Sequence, residues 1–175
     1  MTDFDFPFFF SYPPYFTLQP VKETREKQVE LWTELILRYC RQSRTFVLSS
    51  DTSDDSPLFY NRKIERRLNQ DARLLLLGEL VSRGNGRWLD KGRQQCLVLW
   101  KKLEEWAATV YGLVRELGMQ EAVMTVDELS SGDEVRGTEL EGAPHELLVE
   151  ALKLLEAQGK AQIFAGEGDL GVKFF

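Results

Sequence analysis

Apolar residues return at helical intervals in four stretches of this chain, and the polar segments between them carry glycines and prolines that stop helices. Val29, Trp32, Ile36, Tyr39 and Cys40 fall on one side of a long first helix, and Leu103, Trp106, Val110, Leu113, Val114 and Leu117 on one side of a second. A short strand signal follows each, over 45–48 and 122–124. The other two stretches, 70–83 and 144–158, run into Gly84 and Gly159, and the second carries Leu148, Ala151, Leu152 and Leu155 on one face. After each glycine the pattern predicts a hairpin: 87–89 answered by 95–100, and 161–164 leading through 166–169 into 172–175. The same unit thus occurs twice, with Gly84 and Gly159 in equivalent places.

Each half also has room for a brief second helix. Thr125 and Glu128 have capping-box spacing, and Ser56 followed by Pro57 offers a cap and a first-turn proline. Helix, strand, helix, helix, hairpin is the winged-helix order. The expected fold is therefore α+β, two tandem winged-helix domains over 1–100 and 101–175, each a three-helix core with a β-hairpin wing. Two α+β stretches of similar size can also share such an order by accident. The chain's 175 residues suffice for two small cores.

Residues 4–16 hold eight of the chain's aromatics (Phe4, Phe6, Phe8, Phe9, Phe10, Tyr12, Tyr15 and Phe16), interleaved with Pro7, Pro13 and Pro14. The prolines predict an extended or polyproline course, so the rings should project from a strand-like arm. Some rings are expected to fold back on the first domain; the rest would form an apolar patch of the kind that marks a protein interface. Pro13, Pro14, Tyr15 and Phe16, beside Tyr12, are the candidate partner-binding residues.

Charge sharpens this reading. Residues 1–100 hold 15 Lys+Arg against 13 Asp+Glu, and residues 101–175 hold 7 against 15, so the second domain carries a net −8. Winged helices that read DNA lay their third helix in the major groove, where Lys and Arg neutralise phosphate. Here the first such helix offers Arg73 and Arg83, and the second sets Glu146, Glu150 and Glu156 against Lys153. Nucleic acid is not expected as a partner. Arg62, Lys63, Arg66 and Arg67, read as a basic edge on the second helix of domain one, keep the nucleic-acid reader as the alternative. A solvated face is the plainer account of them, and an acidic partner or anionic lipid another.

Catalytic chemistry finds little to work with. His145 is the single histidine, and neither cysteine, Cys40 nor Cys96, has a second histidine to draw on. No ligand pair has zinc spacing, and no cofactor or metal is expected. Gly166, Gly168 and Gly171 match G-x-G-x-x-G, but a β-like segment rather than a helix follows, so a hairpin turn is expected instead. Asp51, Asp54 and Asp55, and the acidic stretch 133–141, lack the EF-hand pattern and read as loops. The N-terminus has no basic targeting cluster, Met1-Thr2 lacks the glycine that myristoylation requires, and no apolar run approaches membrane-spanning length. A cytoplasmic, non-enzymatic protein is expected.

Several strings spread through the chain resemble one family: 12–20 (YPPYFTLQP), 56–59 (SPLF), 88–91 (WLDK), 104–106 (EEW) and 171–175 (GVKFF). Together they resemble the small vacuolar protein sorting subunit of the endosomal sorting complex ESCRT-II. The resemblance implies tandem winged helices and a hetero-oligomer holding two copies of the subunit. It implies that the Pro-Pro-x-aromatic motif, here Pro13, Pro14 and Phe16 around Tyr15, docks the first domain on the two larger ESCRT-II subunits. It further implies that the second domain recruits the initiating ESCRT-III subunit through that partner's basic helix, at endosomal membranes reached peripherally, during sorting of ubiquitinated cargo into multivesicular bodies. Met124 and Thr125, with nearby acidic groups, are the candidate ESCRT-III contacts.

Overall fold

Helix α1 spans Lys22–Ser43 in the computed structural model, which describes residues 4–175. Gln28, Val29, Trp32, Thr33, Leu35, Ile36 and Cys40 form its buried face. It stops where Arg44 turns left-handed (φ 56°) and Thr45 N donates to Cys40 O at 3.0 Å. Strand β1 (Val47–Ser49) follows, then β2 (Tyr60–Asn61), β3 (Arg66–Arg67), α2 (Gln70–Ser82), β4 (Gly86–Trp88) and β5 (Gln95–Val98). Asn69 caps α2 by accepting from Ala72 N at 2.8 Å, and Gly84 (φ 80°) takes the left-handed position behind it. The sheet order is β1-β5-β4, which sets Leu48 and Trp88 on either side of Cys96. Met1, Thr2 and Asp3, on which the expectations about targeting and myristoylation bear, lie outside the described residues.

The brief second helix expected in this first unit is replaced by a turn and a two-residue hairpin. Ser56 does cap, its Oγ accepting from Leu58 N at 3.3 Å, but the chain then places Leu58 and Phe59 in the core and reverses. Tyr60 pairs with Arg67 and Asn61 with Arg66. Two local features force the reversal: Asn61 Oδ1 accepts from Lys63 N at 3.1 Å, and Glu65 is left-handed (φ 52°). The Arg67 guanidinium then lies 4.5 Å above the Tyr60 ring, a cross-strand contact a helix would not make. Arg62, Lys63, Arg66 and Arg67 are therefore exposed on a hairpin, not along a helix edge.

The second compact unit begins at Lys101. It comprises α3 (Leu103–Glu116), β6 (Val123–Thr125), α4 (Glu128–Ser131), α5 (His145–Ala157), β7 (Ala161–Ala165) and β8 (Leu170–Phe174), in sheet order β6-β8-β7. Trp106, Val110 and Val114 of α3 and Leu148, Ala151, Leu152 and Leu155 of α5 are buried. The expected cap forms in its forward half, with Thr125 Oγ1 accepting from Glu128 N at 3.2 Å. The acidic stretch 133–141, expected as a loop, opens with a 3-10 turn over Asp133–Val135 and is anchored, since Val135 and Leu140 are sealed inside. On α5, Glu156 reaches over the outer edge of β7, where its Oε2 accepts from Ile163 N at 2.7 Å. Gly171 of β8 lies beneath the Phe164 ring so closely that an added Cβ would sit 2.4 Å from it. Among the described residues, no helix is long and apolar enough to cross a membrane.

Candidate functional site

The aromatic arm is not strand-like. It folds into two 3-10 turns, Phe8–Ser11 and Pro13–Phe16, closed by Tyr12 N donating to Phe9 O (2.9 Å) and Thr17 N to Pro14 O (3.3 Å). Pro13 opens the second turn, where its fixed φ suits the helical start and its missing N–H costs nothing. Phe9, Phe10 and Phe16 are buried against Trp32, with ring centroids 5.3, 6.0 and 5.4 Å away. The opposite side stays open: Phe8 is 90% exposed, Tyr12 is 52% exposed, and Pro14 is exposed beside half-buried Pro13 and Tyr15. Of the four candidate residues, then, Phe16 anchors the motif from within, and Pro13, Pro14 and Tyr15 share the surface with Tyr12.

Polar side chains of α1 hold the turn in place. Gln28, 2% exposed, donates from Nε2 to Tyr15 O (3.1 Å) and Thr17 O (2.8 Å), and its Oε1 accepts from Gln19 N (3.1 Å). One helical turn on, Trp32 Nε1 donates to the same Tyr15 O at 2.8 Å. Gln19 Nε2 donates to Pro14 O (3.0 Å) and Thr17 O (2.9 Å). Farther along, Asn61 Nδ2 donates to Phe10 O at 2.7 Å, which joins the arm to the basic hairpin. Between arm and hairpin lies a hollow of about 510 Å³ whose lining includes Phe6, Phe10, Tyr60, Arg62 and Lys63. Sequence reasoning missed Gln19, Gln28 and Asn61. The one available signal was Gln28 itself, a polar residue four before Trp32 on the apolar stripe.

In the second unit the two candidates part company. Met124 is 9% exposed and pairs with Val172 on the inner side of the sheet. Thr125 faces outward opposite Gly171, on the side that also carries Val123 (63% exposed) and Phe164 (40% exposed). Period-2 alternation makes that division unavoidable for adjacent strand residues.

The groups weighed for catalysis are differently employed. Burial pushes the Cys40 thiol up and the Cys96 thiol up to about 11, so neither is a ready nucleophile. His145 is the first residue of α5, and its Nδ1 stands 3.8 Å from Asp169 Oδ1. The Gly166–Gly171 string is a hairpin turn, closed by Gly166 N donating to Asp169 O at 3.1 Å with Gly168 at φ 86°. No cluster of three or more metal-ligating side chains occurs among the described residues. On α2 Arg73 is fully buried: it donates to Leu68 O (3.3 Å), Asp51 O (2.8 Å) and Asp54 O (3.3 Å), and so cannot reach a phosphate. Arg83 pairs with Glu79 at 2.9 Å.

Comparison with known proteins agrees with this architecture. The family described as ESCRT-II complex subunit matches residues 9–144. The vacuolar protein sorting-associated protein 25 of Arabidopsis thaliana is 49% identical over 176 residues, covering 99% of this chain and 97% of that one. The solved VPS25 subunit of the endosomal trafficking complex ESCRT-II superposes with a TM-score of 0.85 at 27% identity, over 95% of this chain and 98% of that one. A chain of the solved ESCRT-II complex VPS22/VPS25/VPS36 superposes equally well, TM-score 0.85 at 28% identity, over 96% and 98%.

Proposed function

The chain belongs to the family of ESCRT-II complex subunits, non-catalytic components of vacuolar protein sorting, and on that footing we propose that its arm is the element that docks it on two larger subunits. The related solved complex names those as VPS22 and VPS36. The observation that carries the reading is the exposure of Tyr12 and Pro14 on a turn whose Pro14 and Tyr15 carbonyls are already occupied. An apolar edge presented on a rigid frame gains affinity because little order remains to be imposed on binding. The hollow beside the basic hairpin, where Arg62 and Lys63 outnumber Asp55, would suit an acidic group of the same partner.

The second unit would recruit the initiating ESCRT-III subunit, during multivesicular-body sorting of ubiquitinated cargo on the cytosolic side of endosomal membranes. Its net −8 suits a basic helix, and Val123, Thr125 and Phe164 offer an outward apolar strip for that helix to cover, with Met124 supporting it from beneath. Co-purification of the full chain with its complex tests the docking reading. Tyr12→Ala with Pro14→Ala should release both larger subunits, whereas undiminished capture by that double variant would overturn it. The nucleic-acid alternative predicts duplex binding that weakens steeply with salt and vanishes on charge reversal of Arg62, Lys63, Arg66 and Arg67.

A further inference from the structure

Proline-rich segments ordinarily fall into the polyproline conformation, with carbonyls turned to water and no internal hydrogen bonds. The Pro13–Phe16 segment does otherwise, and its sequence alone does not explain why. The difference is made by α1. Gln28 spends both amide hydrogens on the carbonyls of Tyr15 and Thr17 and its oxygen on Gln19 N, while Trp32 sends a second donor to Tyr15 O. A glutamine 2% exposed inside an apolar face is costly unless it is paired, and every pairing it makes is to the backbone of the arm.

We propose that Gln28 and Trp32, one turn apart on α1, are a positioning pair that selects the 3-10 form of the Pro13–Phe16 turn over the polyproline form and so presets it for its partner. This rests on the docking reading above. The pair touches no partner; it fixes the fraction of molecules whose arm is competent to bind. Removing the Gln28 amide leaves Gln19 N without its acceptor and takes one of two side-chain donors from each of the Tyr15 and Thr17 carbonyls, which then rely on Trp32 and Gln19; all three losses favour a water-exposed arm. Apparent affinity falls in proportion to the competent fraction. The loss appears mainly in the association rate, because the surface that the partner covers is unaltered.

The test uses the full chain and the two larger ESCRT-II subunits. Gln28→Met keeps length and apolar bulk without the amide, and Trp32→Phe keeps a ring against Phe9 and Phe16 without the indole donor. Amide hydrogen exchange of residues 8–19 in the free chain and binding kinetics to the larger subunits are measured for each, alongside exchange in α2 as a control for general loosening. Gln28→Met should raise exchange across the arm with α2 unchanged and slow association about tenfold, with dissociation little altered. Trp32→Phe should do the same to a lesser degree, and it serves as the deciding variant should Gln28→Met fail to fold. Unchanged arm exchange, or full binding despite a loosened arm, overturns the positioning role. Tyr12→Ala and Pro14→Ala separate the two levels of inference. If these weaken binding while the α1 variants do not, the pair is merely structural; if none of the four does, the docking reading itself fails.

Discussion

Phe16 and Tyr12 lie four residues apart in one motif, yet the structure assigns them opposite work, and substituting each by alanine makes the difference measurable. Phe16 is 3% exposed, with its ring centroid 5.4 Å from both Phe10 and Trp32. Truncating a buried phenylalanine costs about 3–5 kcal/mol, and the lower figure fits a site at the rim of a core, where the arm can partly collapse into the gap. A unit of about 100 residues loses roughly 0.2 kcal/mol of stability per degree near its midpoint, so about 3 kcal/mol lowers the melting temperature of the first unit by about 14 °C. Tyr12 is 52% exposed, and its aromatic neighbour is Tyr15 at 5.9 Å, so its removal should cost under about 0.5 kcal/mol, or roughly 2 °C. Differential scanning calorimetry of the full chain, paired with affinity for the larger subunits, reads both quantities. Phe16→Ala should lose stability and binding together; Tyr12→Ala should lose binding alone. A Phe16→Ala protein that melts with the parent but no longer binds would show that the ring faces the partner, and the inward anchoring described here would be wrong.

Three further outcomes follow from the geometry. Arg73→Met removes a buried guanidinium's bonds to the carbonyls of Leu68, Asp51 and Asp54 and should cost about 2–4 kcal/mol, read as a lower urea midpoint at unchanged slope. Gly171→Ala drives a Cβ into the Phe164 ring and should cost about 1–3 kcal/mol; in the presence of Phe164→Ala the penalty should largely disappear, and additive costs would refute the overlap. Hydrogen bonds from Asp127 N and Leu170 N, with a smaller contribution from His145, hold the Asp169 carboxyl below its ordinary 3.8. A depressed native value means that its stabilising contribution is complete above pH 3.8 and fades as pH falls through the native value. Asp169→Asn should therefore flatten the acid limb of the second unit's stability profile, and an unchanged limb would exclude that role.

Where the fold was legible from sequence, a period and a stop agreed. Both glycine-terminated helices and both hairpins have an apolar stripe running into a residue that tolerates left-handed φ, and α2 and α5 end beside Gly84 and Gly159 (φ 80° and 73°). The basic hairpin was misread because residues 62, 63, 66 and 67 fit a helical face as well as they fit a two-residue ladder. What decides between them is Asn61 bonding to Lys63 N and the left-handed Glu65, neither of which has a hydrophobic period. The arm was misread for a related reason. Proline's fixed φ serves the polyproline form and the first turn of a 3-10 helix alike, and the arbiter, Gln28, is remote in sequence. At the second candidate site, adjacent residues Met124 and Thr125 were grouped although a strand sends neighbours to opposite faces.

The carboxylate of Glu156 has a consequence beyond its own helix. β7 is one of the two outer strands of its sheet, and a bare strand margin is a template on which a foreign strand can grow. By seizing Ile163 N, Glu156 takes away one of the donors such growth would need and places a negative charge in its path. A subunit that works crowded against companions is thereby discouraged from joining them sheet to sheet along this margin, and encounters there are left to side chains, which can tell one companion from another.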